Sequence, residues 1–290
     1  MGRIGVVTDS FSCLDYLSYP YPITLLRATI DIESRTFRDH VDVSPQDFYH
    51  YLKKHPNTYP KTKQPSYASL IEALESFLER DFDTVIIVTL SSKFSQFYAN
   101  ALLAANSFKD SLNVIVFDSM TLGYPQAKLA LSAAHMVSLG FDATRIEATL
   151  KTMREHQHFS FAVETISFLK QHGRLGMIKG TLGNLLKVKP ILTIEADGSV
   201  AVQDKVRTFS RAVDRLIEDY LGEVKNRVVE PFIMHANNHA MADYVEARLK
   251  AADPTLKKLF ITPINPALAA HVGPGAVGLG YLDYPKGLFT

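Results

Sequence analysis

The chain alternates short, wholly apolar runs with longer stretches of helical period. Ile4-Gly5-Val6-Val7-Thr8-Asp9-Ser10, Val85-Ile86-Ile87-Val88-Thr89-Leu90-Ser91-Ser92 and Asn113-Val114-Ile115-Val116-Phe117-Asp118-Ser119 share one form: a β-branched run ending in hydroxyl or acidic residues. Runs apolar on both faces are what parallel strands buried under helices look like. Helical spacing lies between them. One helix opens at Pro65-Ser66-Tyr67 and continues through Leu70, Leu74, Phe77 and Leu78; a second, alanine-rich, runs from Tyr98 to Phe108; more helix covers roughly Gln126 to His156. This alternation predicts an α/β fold with a parallel sheet and right-handed crossovers.

A second pattern follows Gln157. Phe159–Val163 and Val188–Ile194 read as strands, and the turn Ala196-Asp197-Gly198-Ser199 sends Val200-Ala201-Val202 back as a hairpin partner. Thr208–Glu223 reads as a helix, Pro231–Ala236 as a strand, Ala240–Ala251 as a helix and Leu259–Pro263 as a strand leading to a loop around His271. Val277–Tyr281 reads as a closing strand. The expected organisation is an N-terminal α/β domain over 1–157 and a smaller mixed α/β domain over 158–290. No internal repeat interrupts it.

The 290 residues are 47% hydrophobic and 21% charged, ordinary globular values with ample material for a core. The 31 basic and 30 acidic residues nearly cancel, leaving +1, so the charge balance gives no reason to expect nucleic acid as partner. Cys13 is the single cysteine, which excludes an intrachain disulfide and a cysteine-rich zinc site. The opening residues lack the apolar core of a signal peptide, and no run reaches the length of a membrane span. The expectation is a cytoplasmic protein without a membrane span.

Candidate chemistry gathers at strand ends and in two loops. In open α/β sheets, ligands bind beyond the carboxyl ends of the strands. Thr8-Asp9-Ser10, Ser91-Ser92 and Asp118-Ser119 all stand there, although the same residue types serve as helix N-caps. Thr62 precedes a helix in Thr62-Lys63-Gln64-Pro65-Ser66 and is either a ligand donor or part of a cap. His271 precedes Gly273-Pro274-Gly275, where the glycines admit unusual backbone angles and proline fixes one; this is either a tight turn or a loop facing a ligand. Gln171-His172-Gly173-Arg174 and Lys179-Gly180-Thr181-Leu182-Gly183 form a basic segment, with Lys187 and Lys189 nearby, in which Arg174 can grip an anion. His235 and His239 have no acidic partner cluster, so metal binding is not expected. Neither a G-x-S-x-G elbow nor a glycine-rich phosphate loop occurs.

Together these segments resemble the DegV family of bacterial fatty-acid-binding proteins. The matching pieces are Thr8-Asp9-Ser10, Thr62-Lys63-Gln64-Pro65-Ser66, Leu90-Ser91-Ser92-Lys93-Phe94-Ser95, Phe117-Asp118-Ser119, Phe168 to Arg174, His235-Ala236-Asn237 and His271-Val272-Gly273-Pro274-Gly275. Each is common alone; the ordered set is specific. The resemblance implies a two-domain DegV-like fold enclosing one long-chain fatty acid between the domains. It implies that Thr62, Ser95 and His271 hold the carboxylate, with Ser92 beside them, and that Arg174 faces a partner. That partner would be a separate fatty acid kinase, which phosphorylates the presented acid; the protein itself would be a carrier, without cofactor or chemistry of its own. A protonated His271 would strengthen the hold on the anion.

The sequence departs from the family pattern at the site. Lys93, Phe94, Gln96 and Phe97 interrupt the usual small S-S-G-L-S-G-T-Y run. Lys63 replaces a serine, His172-Gly173 replaces a double glycine, and Phe11 stands where a small hydroxyl residue is frequent. Bulk at Phe94, Gln96 and Phe97 would narrow the pocket, change its acyl preference or exclude fatty acid altogether. Two other readings follow: a transferase or hydrolase with His271 as base and Ser95 as nucleophile, and a binder of another amphiphile.

Overall fold

The computed structural model describes residues 2–180, 188–256 and 258–285; Lys187 and Thr181-Leu182-Gly183 lie outside the described residues. The first half runs β1 (Ile4–Asp9), β2 (Thr24–Leu26), β3 (Thr29–Ile32), β4 (Arg35–Arg38), α1 (Pro45–Lys54), β5 (Lys61–Lys63), α2 (Tyr67–Glu79), β6 (Thr84–Thr89), α3 (Phe97–Ser107), β7 (Asn113–Asp118), α4 (Tyr124–Ser138) and α5 (Ala143–Glu155). The second runs β8 (Gln157–Ala162), α6 (Ser167–Gln171), β9 (Ile178–Lys179), β10 (Lys189–Ile194), β11 (Val200–Val206), α7 (Phe209–Glu223), β12 (Glu230–His235), α8 (His239–Ala252), β13 (Phe260–Pro263), α9 (Pro266–Val272) and β14 (Val277–Leu282).

The fold is mixed α/β. A four-stranded sheet, ordered β2-β1-β6-β7, is parallel throughout. The apolar runs of β1 and β6 are buried on both faces, as alternating side chains require, while the edge strand β7 is half-buried. Val6, Ile86 and Val88 pack on α4 and α5 through Leu129, Ile146 and Leu150. Val7, Val85 and Ile87 pack on the opposite side against Leu70 and Leu74 of α2 and Phe97 of α3.

The second large sheet is mixed, in the order β13-β12-β14-β8-β10-β11-β9. One face, carrying Ile191, Ile233 and Leu279, is covered by α7 and α8. The other face turns Phe159, Phe161, Leu192 and Phe232 toward Phe11, Ile30 and Phe48 from the first half, in one core that joins the two halves. Val277–Leu282 is a middle strand between β12 and β8, not a closing one. Glycine explains its place: a Cβ at Gly280 would lie 2.3 Å from Phe232 Cζ, so only a bare backbone lets that ring cover the strand.

A third sheet, β4-β3-β5, is antiparallel and has no counterpart in the sequence reading. Its strands are three or four residues long, and Arg35-Thr36-Phe37-Arg38 and Lys61-Thr62-Lys63 show mostly polar side chains. β4 and β5 are short and largely exposed, and the alternation of β3, with Ile30 and Ile32 buried, runs for only four residues. Pro45–Lys54, capped by Ser44 accepting from Asp47 N, was likewise unread.

Buried carboxylates tie these layers together. Asp9 Oδ2 accepts from Leu90 N (2.8 Å) and Gln126 Nε2 (3.0 Å), and its Oδ1 from Phe11 N (3.0 Å). Asp39 accepts from Asn265 Nδ2 (2.6 Å) and Ala267 N (3.1 Å), while Asn265 Nδ2 also donates to the Ser10 carbonyl. Burial outweighs these donors and raises Asp39 to about 7 and Asp9 to about 6 from 3.8. The folded state therefore holds these protons more tightly than the unfolded chain. The stability they supply is complete below about pH 4 and is lost as pH rises through about 6 to 7. Buried His271 and His235, pushed down to about 3 and about 4, give the opposite slope over the same range, so the aspartate contribution is read as a difference between two proteins. Between pH 5 and pH 7 the wild type should lose stability relative to Asp39→Asn by up to about 1.4 kcal/mol per pH unit. A difference that stays constant or grows in favour of the wild type as pH rises would contradict this.

Candidate ligand-binding site

His271 sits on the last turn of a helix, which corrects its placement in a loop. Asn265 caps α9 by accepting from Leu268 N (3.1 Å), and Pro266 fits the first helical position. Gly273, at φ 80°, ends the helix by donating to the Ala269 carbonyl (2.8 Å). A Cβ there would also lie 2.6 Å from Phe168 Cδ2. Seven residues are too few for a periodic signal, so the sequence shows only the Gly-Pro-Gly punctuation.

Thr62 lies in the middle of β5, opposite Ile30 of β3, and its Oγ1 is 2.7 Å from His271 Nε2. The same imidazole stands 4.7 Å from the His172 ring and 6.2 Å from the Phe11 ring, centroid to centroid. Its Nδ1 is buried without a hydrogen-bond partner. Burial, followed by the charges of His172 and Arg174, pushes the ring down to about 3. His271 is thus neutral at physiological pH, and the expected charge-assisted bond from a protonated His271 is corrected: desolvation beside two other basic groups disfavours the cation.

Ser95 Oγ donates to Gln64 Oε1 (2.8 Å) and accepts from Phe97 N (3.1 Å), pinning the Thr62–Ser66 segment to the start of α3. Thr62, Ser92, Ser95, Arg174 and His271 all line one cavity of about 720 Å³. Its walls are largely apolar, including Phe11, Leu90, Phe94, Leu122, Phe161 and Leu268. Lys63 and Lys93 are its other cations, and no acidic side chain lines it among the described residues. Ser92 and Lys93 are exposed. A second space of about 30 Å³ shares Leu122, Phe161, Leu268 and Val272 with the first and continues to His235 and Met234.

Other sequence candidates have structural tasks. Thr8 Oγ1 donates to the Val88 carbonyl (2.7 Å), and Asp9 caps the turn after β1. Ser10 Oγ accepts from Ala28 N (3.1 Å), Ser91 Oγ donates to the Gly198 carbonyl (2.8 Å), and Asp118 Oδ1 accepts from Ser92 N (3.1 Å) and Met120 N (3.0 Å). Phe94 and Gln96 border the cavity, whereas Phe97 turns away into the core beneath the parallel sheet. His235 and His239 stack edge to face, 4.5 Å apart, with Asn238 N donating to His235 Nδ1 (3.3 Å). Lys189 reaches the Glu164 carboxylate (2.9 Å). Gln64 and His172 went unassigned in the sequence reading. The departure from a double glycine at His172 was the available signal.

The comparisons agree with this architecture. A family model described as "Uncharacterised protein, DegV family" matches residues 3–283. The chain is 32% identical over 280 residues to a DegV domain-containing protein of Listeria monocytogenes, covering 96% of this chain and 97% of the other. It is 30% identical over 284 residues to a DegV domain-containing protein of Staphylococcus aureus, covering 97% of each. The crystal structure of DegV, a fatty acid binding protein from Bacillus subtilis, is similar with a TM-score of 0.86 and 28% identity, over 98% of this chain and 100% of that one. A fatty acid binding DegV family protein from Streptococcus agalactiae has the same fold, with a TM-score of 0.87 at 23% identity over 98% and 100% of the chains.

The neutral state of His271 is directly measurable. Histidine-resolved NMR of the ligand-free protein should show its ring uncharged from pH 5 to pH 8, since its midpoint lies near 3. A titration midpoint inside that window would contradict the burial argument.

Proposed function

The chain belongs to the DegV family, and we propose that it is a fatty-acid carrier that presents the carboxylate of one bound long-chain acid to a separate acyl kinase. The observation that carries this reading is the lining of the main cavity. Its walls are largely apolar, Thr62 and His271 meet among them, Ser95 is tied to Gln64 of the Thr62 segment, and no acidic group among the described residues repels an anion there. The Bacillus subtilis relative of the same architecture is a fatty acid binding protein.

The chemistry follows from the proton inventory. An unpaired buried N–H is rarer and costlier than an under-used acceptor. That favours the tautomer with the proton on Nε2, donated to Thr62 Oγ1, and with Nδ1 as the bare acceptor. Thr62 can then turn its own hydroxyl proton to the ligand, so His271 orients the donor that meets the anion. Ser95 joins by moving its proton from Gln64 to the carboxylate. Burying an ionised carboxylate is costly unless donors satisfy it. Each methylene laid along the apolar wall contributes about 0.8 kcal/mol, which offsets that cost over a long chain. Ser92 and Lys93 line the cavity and are exposed, which supports presentation to a partner, with Arg174 and Lys63 as further cations at the same cavity.

A catalytic reading suits the geometry less well. His271 Nε2 meets Thr62 and Ser95 donates to Gln64, so the pair of Ser95 with His271 does not form, and His271 Nδ1 has no carboxylate to orient the ring as a base. Extraction and mass analysis of the purified protein should find a long-chain acid, and palmitate should bind with one-to-one stoichiometry. Thr62→Ala and His271→Ala should each weaken palmitate about tenfold, the effect of losing one hydrogen bond to a charged group. With the acyl kinase and ATP, acyl-phosphate should form only when both proteins are present. Failure to bind any acid, or turnover by this protein alone, would overturn the proposal; a co-purifying ligand with another head would favour the broader amphiphile reading.

A further inference from the structure

His172 stands where the family pattern has glycine, and its two ring nitrogens meet two carbonyl oxygens. Nδ1 lies 2.7 Å from the Phe168 carbonyl at the start of α6, and Nε2 lies 2.6 Å from the Pro60 carbonyl. A carbonyl oxygen can only accept, and a neutral imidazole has one N–H. With one proton, one of these contacts would set a nitrogen lone pair against an oxygen lone pair at hydrogen-bond distance. Only the imidazolium, donating at both nitrogens, satisfies the pair, and both distances suit charge-assisted bonds. The backbone supports the placement: His172 ends α6, its N–H reaches the Phe168 carbonyl (3.2 Å), and Gly173 beyond it adopts φ 65°.

We infer that His172 is a fixed cation that positions the headgroup site and selects an anionic ligand. The two carbonyls explain the positioning. Pro60 is buried and directly precedes β5, so the bridge ties the Thr62 strand to α6, whose Phe168 packs under Gly273 at the end of the His271 helix. The charge explains the selection. The His172 ring lies 4.7 Å from the His271 ring, and Arg174, whose Nη1 donates to the His172 carbonyl (3.3 Å), is the other charged group adjoining it. Charge and contact are thereby divided between two histidines: the neutral ring of His271 touches Thr62, and the cationic ring behind it supplies the field. His172 does not line the cavity, so it acts through its neighbours.

This inference rests on the carrier reading, and its test separates the two. On the intact wild-type protein at pH 7, proton-coupled ¹⁵N NMR of the histidine rings should show His172 protonated at both nitrogens. One protonated nitrogen would overturn the cation, whatever the ligand proves to be. Calorimetry with palmitate and hexadecan-1-ol then reads the selection. His172→Gln, which keeps one donor and removes the charge, should cost palmitate about tenfold and the alcohol less than about twofold, so that the acid–alcohol ratio collapses. His172→Lys, which returns a charge without the bridge, should recover part of that ratio. Equal losses for both ligands, or no loss, would overturn the selective role. Wild-type protein that bound neither ligand would overturn the selective role together with the carrier reading, while the ring spectrum would still decide the charge.

Discussion

The hydrogen bond between Thr62 and His271 joins positions 209 residues apart, and the site exists because the fold can hold that contact. Thr62 depends on a three-residue strand with little core of its own, and His271 on a seven-residue helix. Neither element would be stable alone; short helices and isolated strand pairs are marginal in water. Each is held from outside. β5 pairs with β3, whose Ile30 is fully buried, and α9 is fastened by Asn265, Asp39 and the glycine that ends it. The long-range contact is therefore a product of the shared core, in which Phe11, Ile30 and Phe48 meet Phe159, Phe161 and Phe232.

The same core sets the electrostatic character of the cavity. A buried imidazole next to other basic groups stays neutral, and a neutral imidazole is a donor or acceptor of one proton, not a counterion. An anion in this cavity is met by hydroxyls, by the lining cations Lys63, Lys93 and Arg174, and by His172 one step behind, and no acidic residue among the described ones borders the space. A largely apolar wall beside neutral donors and these cations suits a molecule with one charged end and one long apolar end. A general base would need a carboxylate orienting the imidazole, and the buried Nδ1 of His271 has no hydrogen-bond partner.

Much of this was legible in the residues. The three β-branched runs announced the parallel sheet, and the Asp-Gly turn at 197–198 announced the β10–β11 hairpin. The DegV resemblance singled out Thr62, Ser92, Ser95, Arg174 and His271 as a set, and they share one cavity. What stayed hidden is what distance along the chain conceals. In the β4-β3-β5 sheet only Thr29-Ile30-Asp31-Ile32 alternates, a signal four residues long, and the pairing of Val277–Leu282 with both β12 and β8, with Gly280 under Phe232, is a long-range feature. The neutrality of His271 arises from burial and two basic neighbours, neither of which a local motif displays. Three hydroxyl-rich strand ends looked like donors for a ligand; Thr8, Ser10 and Ser91 instead serve the backbone, as caps and loop ties commonly do.

A crystal structure of the protein with palmitate decides whether Thr62 holds the headgroup. One extended acyl chain should lie along the Phe11, Leu122 and Phe161 wall, with a carboxylate oxygen within hydrogen-bond distance of Thr62 Oγ1 and His271 still bonded to that hydroxyl. A chain bound in the opposite direction, a carboxylate held elsewhere, or an empty cavity at saturating palmitate would contradict it.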